Sequence, residues 1–170
     1  MWGGPKRAEG PKPVKTETAS NLQFRGEFPA KLDSGWRVSL PKVWRDRCPE
    51  VDWVVVPWPL VDPDCLAAFP MDSWDRLHTE IMVNGQLTPG GRQQILDLLA
   101  RRSFDTRIDK VGRLGIGQRL ANQVGLKEDV VLAGGGRNYI RIIPAERYVE
   151  FDRRSVEGLS RETLKQIGLA

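Results

Sequence analysis

The stretch LDSGWRVSLP, residues 32–41, returns as IDKVGRLGIG, residues 108–117. In both, an apolar residue precedes Asp, three residues separate that Asp from Arg, and apolar positions then alternate. The correspondence runs further at a constant offset of 76. It pairs Phe28 with Phe104, Leu32 with Ile108, Asp33 with Asp109, Arg37 with Arg113, Val38 with Leu114, Leu40 with Ile116 and Trp44 with Leu120. The same offset sets Val54–Val56 against Val130–Leu132, and a two-residue shortening then brings Phe69-Pro70 onto Ile143-Pro144 and Trp74 onto Tyr148. Self-similarity over this length marks a duplicated supersecondary unit.

Each copy reads locally in the same way. A short strand runs to the Asp, and the Asp-x-x-x-Arg segment turns, with Gly35 in copy one and Gly112 in copy two free to take positive φ. A second strand, RVSL or RLGI, alternates apolar and polar residues. A short amphipathic helix follows, with Pro41 suited to its first position in copy one and Gly125 to its C-terminal cap in copy two. A hairpin comes next, DWVVVPW with DCLAAFP and DVVLAGG with NYIRIIP, and then a helix opens at MDSWDRL and at PAERYVEF. About four short strands cannot bury enough apolar surface alone. The two copies are therefore expected to interlock across a pseudo-two-fold axis and close a common core.

These boundaries divide the chain into a disordered basic tail (1–22), a first repeat (23–85), a linker helix (86–102), a second repeat (103–153) and a C-terminal helix (154–170). In the linker, NGQLTPGG reads as a loop, and Ile95, Leu98 and Leu99 form an apolar helical stripe. Ser160 is suited to cap the last helix and Gly168 to end it.

Composition removes several functions. His78 is the single histidine, and Cys48 and Cys65 have neither CxxC spacing nor a histidine neighbour, so no catalytic triad, metal site or cofactor is expected and both thiols read as reduced and partly buried. No run approaches the length of a membrane span, and the N-terminus lacks the apolar core of a secretory leader; a cytoplasmic location is the default. AGGGRN, 133–138, lacks the P-loop pattern and reads as a hairpin turn. Charge is informative by position. Residues 21–47 hold six cations and three acids, residues 101–119 six cations and two acids, and residues 48–90 one cation and seven acids. Positive charge thus gathers around both copies of the motif, the footprint of a polyanion binder.

FRGEFPAKLDSGWRVSLP and SFDTRIDKVGRLGIGQRLANQVGLKEDVVLAG resemble the MraZ family of bacterial regulators, within the AbrB-like, swapped-hairpin group of DNA-binding folds. The resemblance covers roughly residues 24–151 and rests on two DxxxR motifs at family spacing. It implies an α+β, mainly β fold: a pseudo-two-fold swapped-hairpin β-barrel of two tandem repeats with flanking short helices. It also implies a cytoplasmic, nucleoid-associated regulator that binds repeated promoter boxes near division and cell-wall genes and assembles into a homo-oligomeric ring. No enzyme activity, membrane partner or small-molecule substrate is expected. Copy one departs from the family pattern in having Trp36 where Gly112 stands in copy two, which is expected to alter its turn.

On this reading Arg37 and Arg113 contact DNA, because a planar guanidinium pairs with phosphate or with a guanine edge. Asp33 and Asp109 orient them, and Lys31, Arg45, Arg107 and Arg119 are auxiliary phosphate contacts. Trp36 is expected to pack against the neighbouring strand in preference to stacking on a base. The rival readings are a scaffolding ring without DNA binding and another AbrB-like binder such as an antitoxin.

Overall fold

The computed structural model describes residues 23–170; the tail expected over 1–22 lies outside the described residues. The order is β1 (Glu27–Lys31), β2 (Arg37–Ser39), α1 (Lys42–Arg47), β3 (Asp52–Trp58), β4 (Cys65–Pro70), α2 (Met71–Val83) and α3 (Pro89–Arg102), then β5 (Phe104–Arg107), β6 (Arg113–Gly115), α4 (Gln118–Gln123), β7 (Asp129–Gly135), β8 (Tyr139–Pro144), α5 (Tyr148–Glu157) and α6 (Arg161–Gln166). Six strands form one sheet in the order β1-β7-β8-β4-β3-β5, and β2 pairs with β6 in a separate ribbon. Every pairing is antiparallel.

The expected closed barrel does not form. The sheet ends at β1 and β5, which do not pair with each other. The reason lies in the motif. After a single bridge, Leu32 to Val38 or Ile108 to Leu114, each Asp-x-x-x-Arg turn lifts the chain out of the sheet. The three-residue strands that follow then pair with each other and do not extend the sheet edges.

The expected interlocking of the copies is present. β1 of copy one pairs with β7 of copy two, Phe28 opposite Leu132, and β5 of copy two pairs with β3 of copy one, Asp105 opposite Val54. Where the copies meet, equivalent residues face each other: Val38 opposite Leu114 in the ribbon and Ala67 opposite Arg141 between β4 and β8. A pseudo-two-fold axis passes through both pairs.

One part of the repeat alignment needs correction. Lys31 and Arg107 are equivalent, and they pair with Asp129 and Asp52 respectively. Asp52 therefore corresponds to Asp129, an offset of 77, and Trp53 and Val55, not Val54 and Val56, match Val130 and Leu132. The extra residue sits between α4 and β7, where 124–128 answers 48–51. The run WVVV hides this shift because β3 is buried on both faces, so its hydrophobicity carries no register information.

Both faces of the central strands are covered. On one face Trp53, Val55, Leu66 and Ala68 join Val38, Leu40, Trp44, Leu114, Ile116, Leu120, Val130, Leu132, Ile140 and Ile142 in a core drawn from both copies. Trp44 is fully buried there, donating from its indole N–H to the Arg25 carbonyl at 3.0 Å and meeting Phe24 and Phe28 edge-on. On the other face α2 and α3 cover Val56, Ala67 and Phe69 with Leu77 and Leu99, and Tyr148 and Phe151 of α5 cover Cys65, Ala133 and Ile143. Each buried Leu, Ile or Val contributes about 1.5–3 kcal/mol, and the largest cluster draws such residues from both copies.

Local expectations divide. Thr88 caps α3 by accepting from the Gly91 N–H, with Pro89 at the first position, so PGG is helical and not loop. Pro41 precedes α1 as its cap instead of opening it. Gly125, at φ +69°, follows the end of α4 as expected. Ser160 caps α6 through the Thr163 N–H, but residues 154–170 divide between α5 and α6. Cys48 and Cys65 are buried free thiols, and burial pushes the Cys65 thiol up to about 12. AGGGRN is only partly a turn: Ala133–Gly135 end β7, paired with Arg141, Ile140 and Tyr139, and 136–138 connect it to β8. No helix among the described residues is long and apolar enough to cross a membrane.

Candidate functional site

The β2–β6 ribbon brings the two DxxxR segments together. Val38 and Leu114 point inward and are fully buried. The alternate positions, Arg37 opposite Gly115 and Ser39 opposite Arg113, share the outer face, so both arginines emerge diagonally across one short ribbon. Both are half-exposed.

The turns are hydrogen-bonded alike. In copy one the Asp33 N–H donates to the Arg37 carbonyl at 2.9 Å and the Trp36 N–H to the Asp33 carbonyl at 3.0 Å; in copy two the Asp109 and Gly112 N–H groups make the same bonds at 2.9 and 3.0 Å. Asp33 Oδ1 accepts from the Gly35 and Arg37 N–H groups, both at 2.9 Å, and Oδ2 from Arg37 Nε at 3.0 Å. Asp109 accepts from the Val111 and Arg113 N–H groups at 3.1 and 2.9 Å and from Arg113 Nε at 2.7 Å. Each carboxylate thus closes its own turn and fixes its own arginine through Nε, and among the described residues no hydrogen bond uses the terminal guanidinium nitrogens of either arginine. Arg113 Nη1 also lies 3.5 Å from Asp33 Oδ2, which ties the two clamps together.

The expected difference in the copy-one turn is therefore absent from its hydrogen bonds and present in its strain. Positive φ falls on Trp36, +59°, and not on Gly35; its copy-two counterpart Gly112 has φ +86°. The left-handed region disfavours a residue with a Cβ. Trp36 stays there because its side chain packs against the core and its carbonyl accepts from the Ile116 N–H at 2.9 Å, as Gly112 accepts from Leu40 at 3.0 Å.

Electrostatics keep the clamps ionised. At Asp33 partial desolvation opposes the charge, but the Arg37 and Gly35 N–H bonds and the Arg37 guanidinium outweigh it and hold the carboxyl below its ordinary value. At Asp109 the Arg113 N–H is the leading cause of the same depression, against desolvation and with the Arg113 side chain.

The auxiliary residues do not all join this face. Lys31 pairs with Asp129 at 2.8 Å and Glu128 at 3.2 Å, and Arg107 with Asp52 at 2.7 Å; both lie along the outer strands of the large sheet. Arg45 donates from Nε to the Leu40 carbonyl at 3.2 Å, and its guanidinium lies directly over Gly112 of the other copy. Arg119 is exposed on α4. The acidic partners of Lys31 and Arg107 were missed in the sequence, although the corrected offset of 77 reveals Asp52 and Asp129 as equivalents. The Arg45–Gly112 contact had no sequence signal. Among the described residues no group of His, Cys, Asp and Glu is arranged to hold a metal ion.

A scan against protein-family models finds no match. Curated relatives are found. A transcriptional regulator MraZ of Dehalococcoides mccartyi is 29% identical over 134 residues, 79% of this chain and 91% of that protein. The same-named protein of Alkalilimnicola ehrlichii is 30% identical over 112 residues, 65% of this chain and 74% of its own. That of Nitrosomonas europaea is 31% identical over 121 residues, 68% of this chain and 78% of its own. With both DxxxR turns on one ribbon and identity of this extent across both repeats, the chain belongs to the MraZ family of transcriptional regulators.

Proposed function

We propose that this regulator binds double-stranded DNA through the paired turns of the β2–β6 ribbon, as a swapped-hairpin, AbrB-like reader built from the repeats 23–85 and 103–153 with 86–102 as the linker and 154–170 as a C-terminal extension. Arg37 and Arg113 make the contacts and Asp33 and Asp109 orient them. Lys31, Arg45, Arg107 and Arg119 add charge around them. The observation that carries this reading is the pair of arginines on one exposed ribbon face, each locked by an ionised Asp that also closes its turn. Orientation of a planar fork before binding lowers the entropy lost on contact.

The family resemblance extends the reading to repeated promoter boxes near division and cell-wall genes, to a nucleoid-associated location and to a homo-oligomeric ring. Linking many weak faces in one ring makes later contacts intramolecular and raises avidity. A scaffolding ring without DNA binding is the second reading, favoured by the neutralisation of Lys31 and Arg107 by neighbouring acids.

Fluorescence anisotropy with the DNA just upstream of the chain's own gene, beside a scrambled duplex and across a salt series, separates the two. The DNA reading expects sequence preference, a steep salt dependence and loss of both in Arg37→Ala/Arg113→Ala. Equal weak binding to both duplexes, unchanged in the double variant, moves the scaffold reading to first place.

A further inference from the structure

The two turns have the same backbone but opposite fillings. A Cβ placed on Gly112 would lie 2.6 Å from Arg45 Cζ and Nη1 and 2.7 Å from Cδ. Arg45 therefore occupies the space that a side chain at 112 would take. The equivalent of Arg45 in copy two is Ala121, which is fully buried. The equivalent of Gly112 in copy one is Trp36. The pseudo-two-fold axis that sets Arg45 over the copy-two turn sets Ala121 over the copy-one turn. This relation is supported by the matching cross-copy bonds from Leu40 to Gly112 and from Ile116 to Trp36. One turn thus combines the smallest residue with an arginine from the other copy. Its sister combines an indole with an alanine.

We infer that the two turns are unequal in binding DNA: Arg45 completes a phosphate site at the copy-two turn beside Arg113, and Trp36 fills the corresponding space at the copy-one turn with apolar surface. This rests on the DNA-binding reading and adds to it a division of labour between the repeats. Arg45 suits the role because it is held by one bond, from Nε to the Leu40 carbonyl, and no carboxylate neutralises it among the described residues. Arg45 lies over Gly112, and Arg113 is the next residue along the same turn, held through Nε by Asp109 at 2.7 Å. Arg37 has only its own clamp and the indole next to it. Phosphate affinity accordingly concentrates at residues 109–113, and copy one contributes Arg37 alone.

The test measures anisotropy binding of a mixed-sequence duplex across a sodium chloride series, with circular dichroism confirming the fold of each variant. Arg45→Ala is expected to lower the slope of log affinity against log salt by about one per bound ribbon. Arg113→Ala is expected to weaken binding more than Arg37→Ala does. The Arg45→Ala/Arg113→Ala double variant is expected to lose less than the product of the single losses, because the two share a phosphate. Arg45→Ala/Arg37→Ala is expected to lose the full product. Grafting copy two onto copy one, with Trp36→Gly/Ala121→Arg, is expected to steepen the slope. If Arg45→Ala does not fold, Arg45→Gln keeps the stem and the bond to Leu40 while removing the charge. An unchanged slope in the Arg45 variant, with binding still weakened by Arg37→Ala or Arg113→Ala, overturns this inference and leaves DNA binding standing. Absence of duplex binding by the wild type at low salt overturns both.

Discussion

At the scale of single residues, glycine is decided by what lies next to it. Three glycines follow one another where β7 ends, Gly134 and Gly135 in the strand and Gly136 in the turn, and they are not equivalent. A Cβ on Gly134 would lie 2.2 Å from the Phe24 carbonyl oxygen, whereas one on Gly136 would meet nothing within 4 Å. The obstacle at Gly134 is backbone, and the Gly134 N–H is bonded to the Gly26 carbonyl at 3.1 Å. The segment carrying Phe24 and Arg25, which also anchors Trp44, must move if a side chain is added. Gly134→Ala is expected to cost about 3 kcal/mol, the upper range for overpacking, and to lower the melting temperature by about 6–12 °C. Gly136→Ala is expected to change it by less than about 2 °C. Differential scanning calorimetry on the two variants checks this; equal small shifts would mean the 24–26 segment yields freely.

Among the elements, the ribbon turns depend on two ionised carboxylates. Both Asp33 and Asp109 are held below their ordinary value in the folded chain. A depressed folded pKa stabilises the fold at every pH above the unfolded pKa, about 3.9 for Asp. That contribution is lost as pH falls through the folded value. Thermal stability is therefore expected to hold level from neutrality to about pH 5 and to fall below about pH 4. Glu150 of α5, held down first by its bond from Arg153, adds to the same decline. In Asp33→Asn/Asp109→Asn each Oδ1 can still accept the turn N–H bonds while the charge is gone, so the acid limb is expected to flatten, leaving the part due to Glu150. An unchanged acid limb would assign the whole decline to other carboxylates. The outer strands behave differently. Arg107 and Asp52 pair with side chains 71% and 48% exposed, and such pairs contribute little in water. Arg107→Ala is expected to shift the urea midpoint by no more than about 0.5 kcal/mol allows, so any larger loss of duplex binding in that variant reports a contact with DNA and not a weakened fold.

The same elements show what the sequence could disclose. The strands and the DxxxR pair were legible because polar–apolar alternation and a repeated motif survive in β2 and β6; the pairing of those two strands in a separate ribbon was not. That the copies interlock was legible because neither half could bury its own core; that β1 and β5 are the strands that cross was not. The register of β3 against β7 was not, because VVV is buried on both faces and any shift keeps it apolar. The positive φ at Trp36 was hidden because glycine is the ordinary sign of that conformation, and Gly35 stood next to it. The barrel expectation failed because closure depends on where the turn lifts the chain after one bridge, a three-dimensional property that spacing does not encode.

In the whole molecule, the two repeats are one folding unit written as two. β1 joins β7, β5 joins β3, β4 joins β8 and β2 joins β6, so every ladder except the two hairpins crosses between copies. The core formed by Trp44, Trp53, Leu114 and Ile142 is shared in the same way. The covalent link, by contrast, passes through a short connection between α2 and α3, where Asn84, Gly85 and Gln86 are exposed and a Cβ on Gly85 would meet nothing within 4 Å. Cutting there removes a tether without removing any of these ladders. A site-specific protease sequence placed after Gly85 is expected to be cleaved in the folded protein, and the nicked halves are expected to elute together at the intact size on gel filtration. The cut converts an intramolecular docking into a bimolecular one, so the nicked protein is expected to become concentration-dependent in its stability. Its melting temperature should rise with protein concentration, whereas the uncut chain at fixed oligomeric state should show no such rise. After denaturation, either half alone is expected to stay unfolded and the mixture to refold, because neither half keeps partners for its own first strand. Separation of the halves in native buffer, or independent folding of either, would mean that each repeat closes its own core and that the strand exchange is incidental to stability.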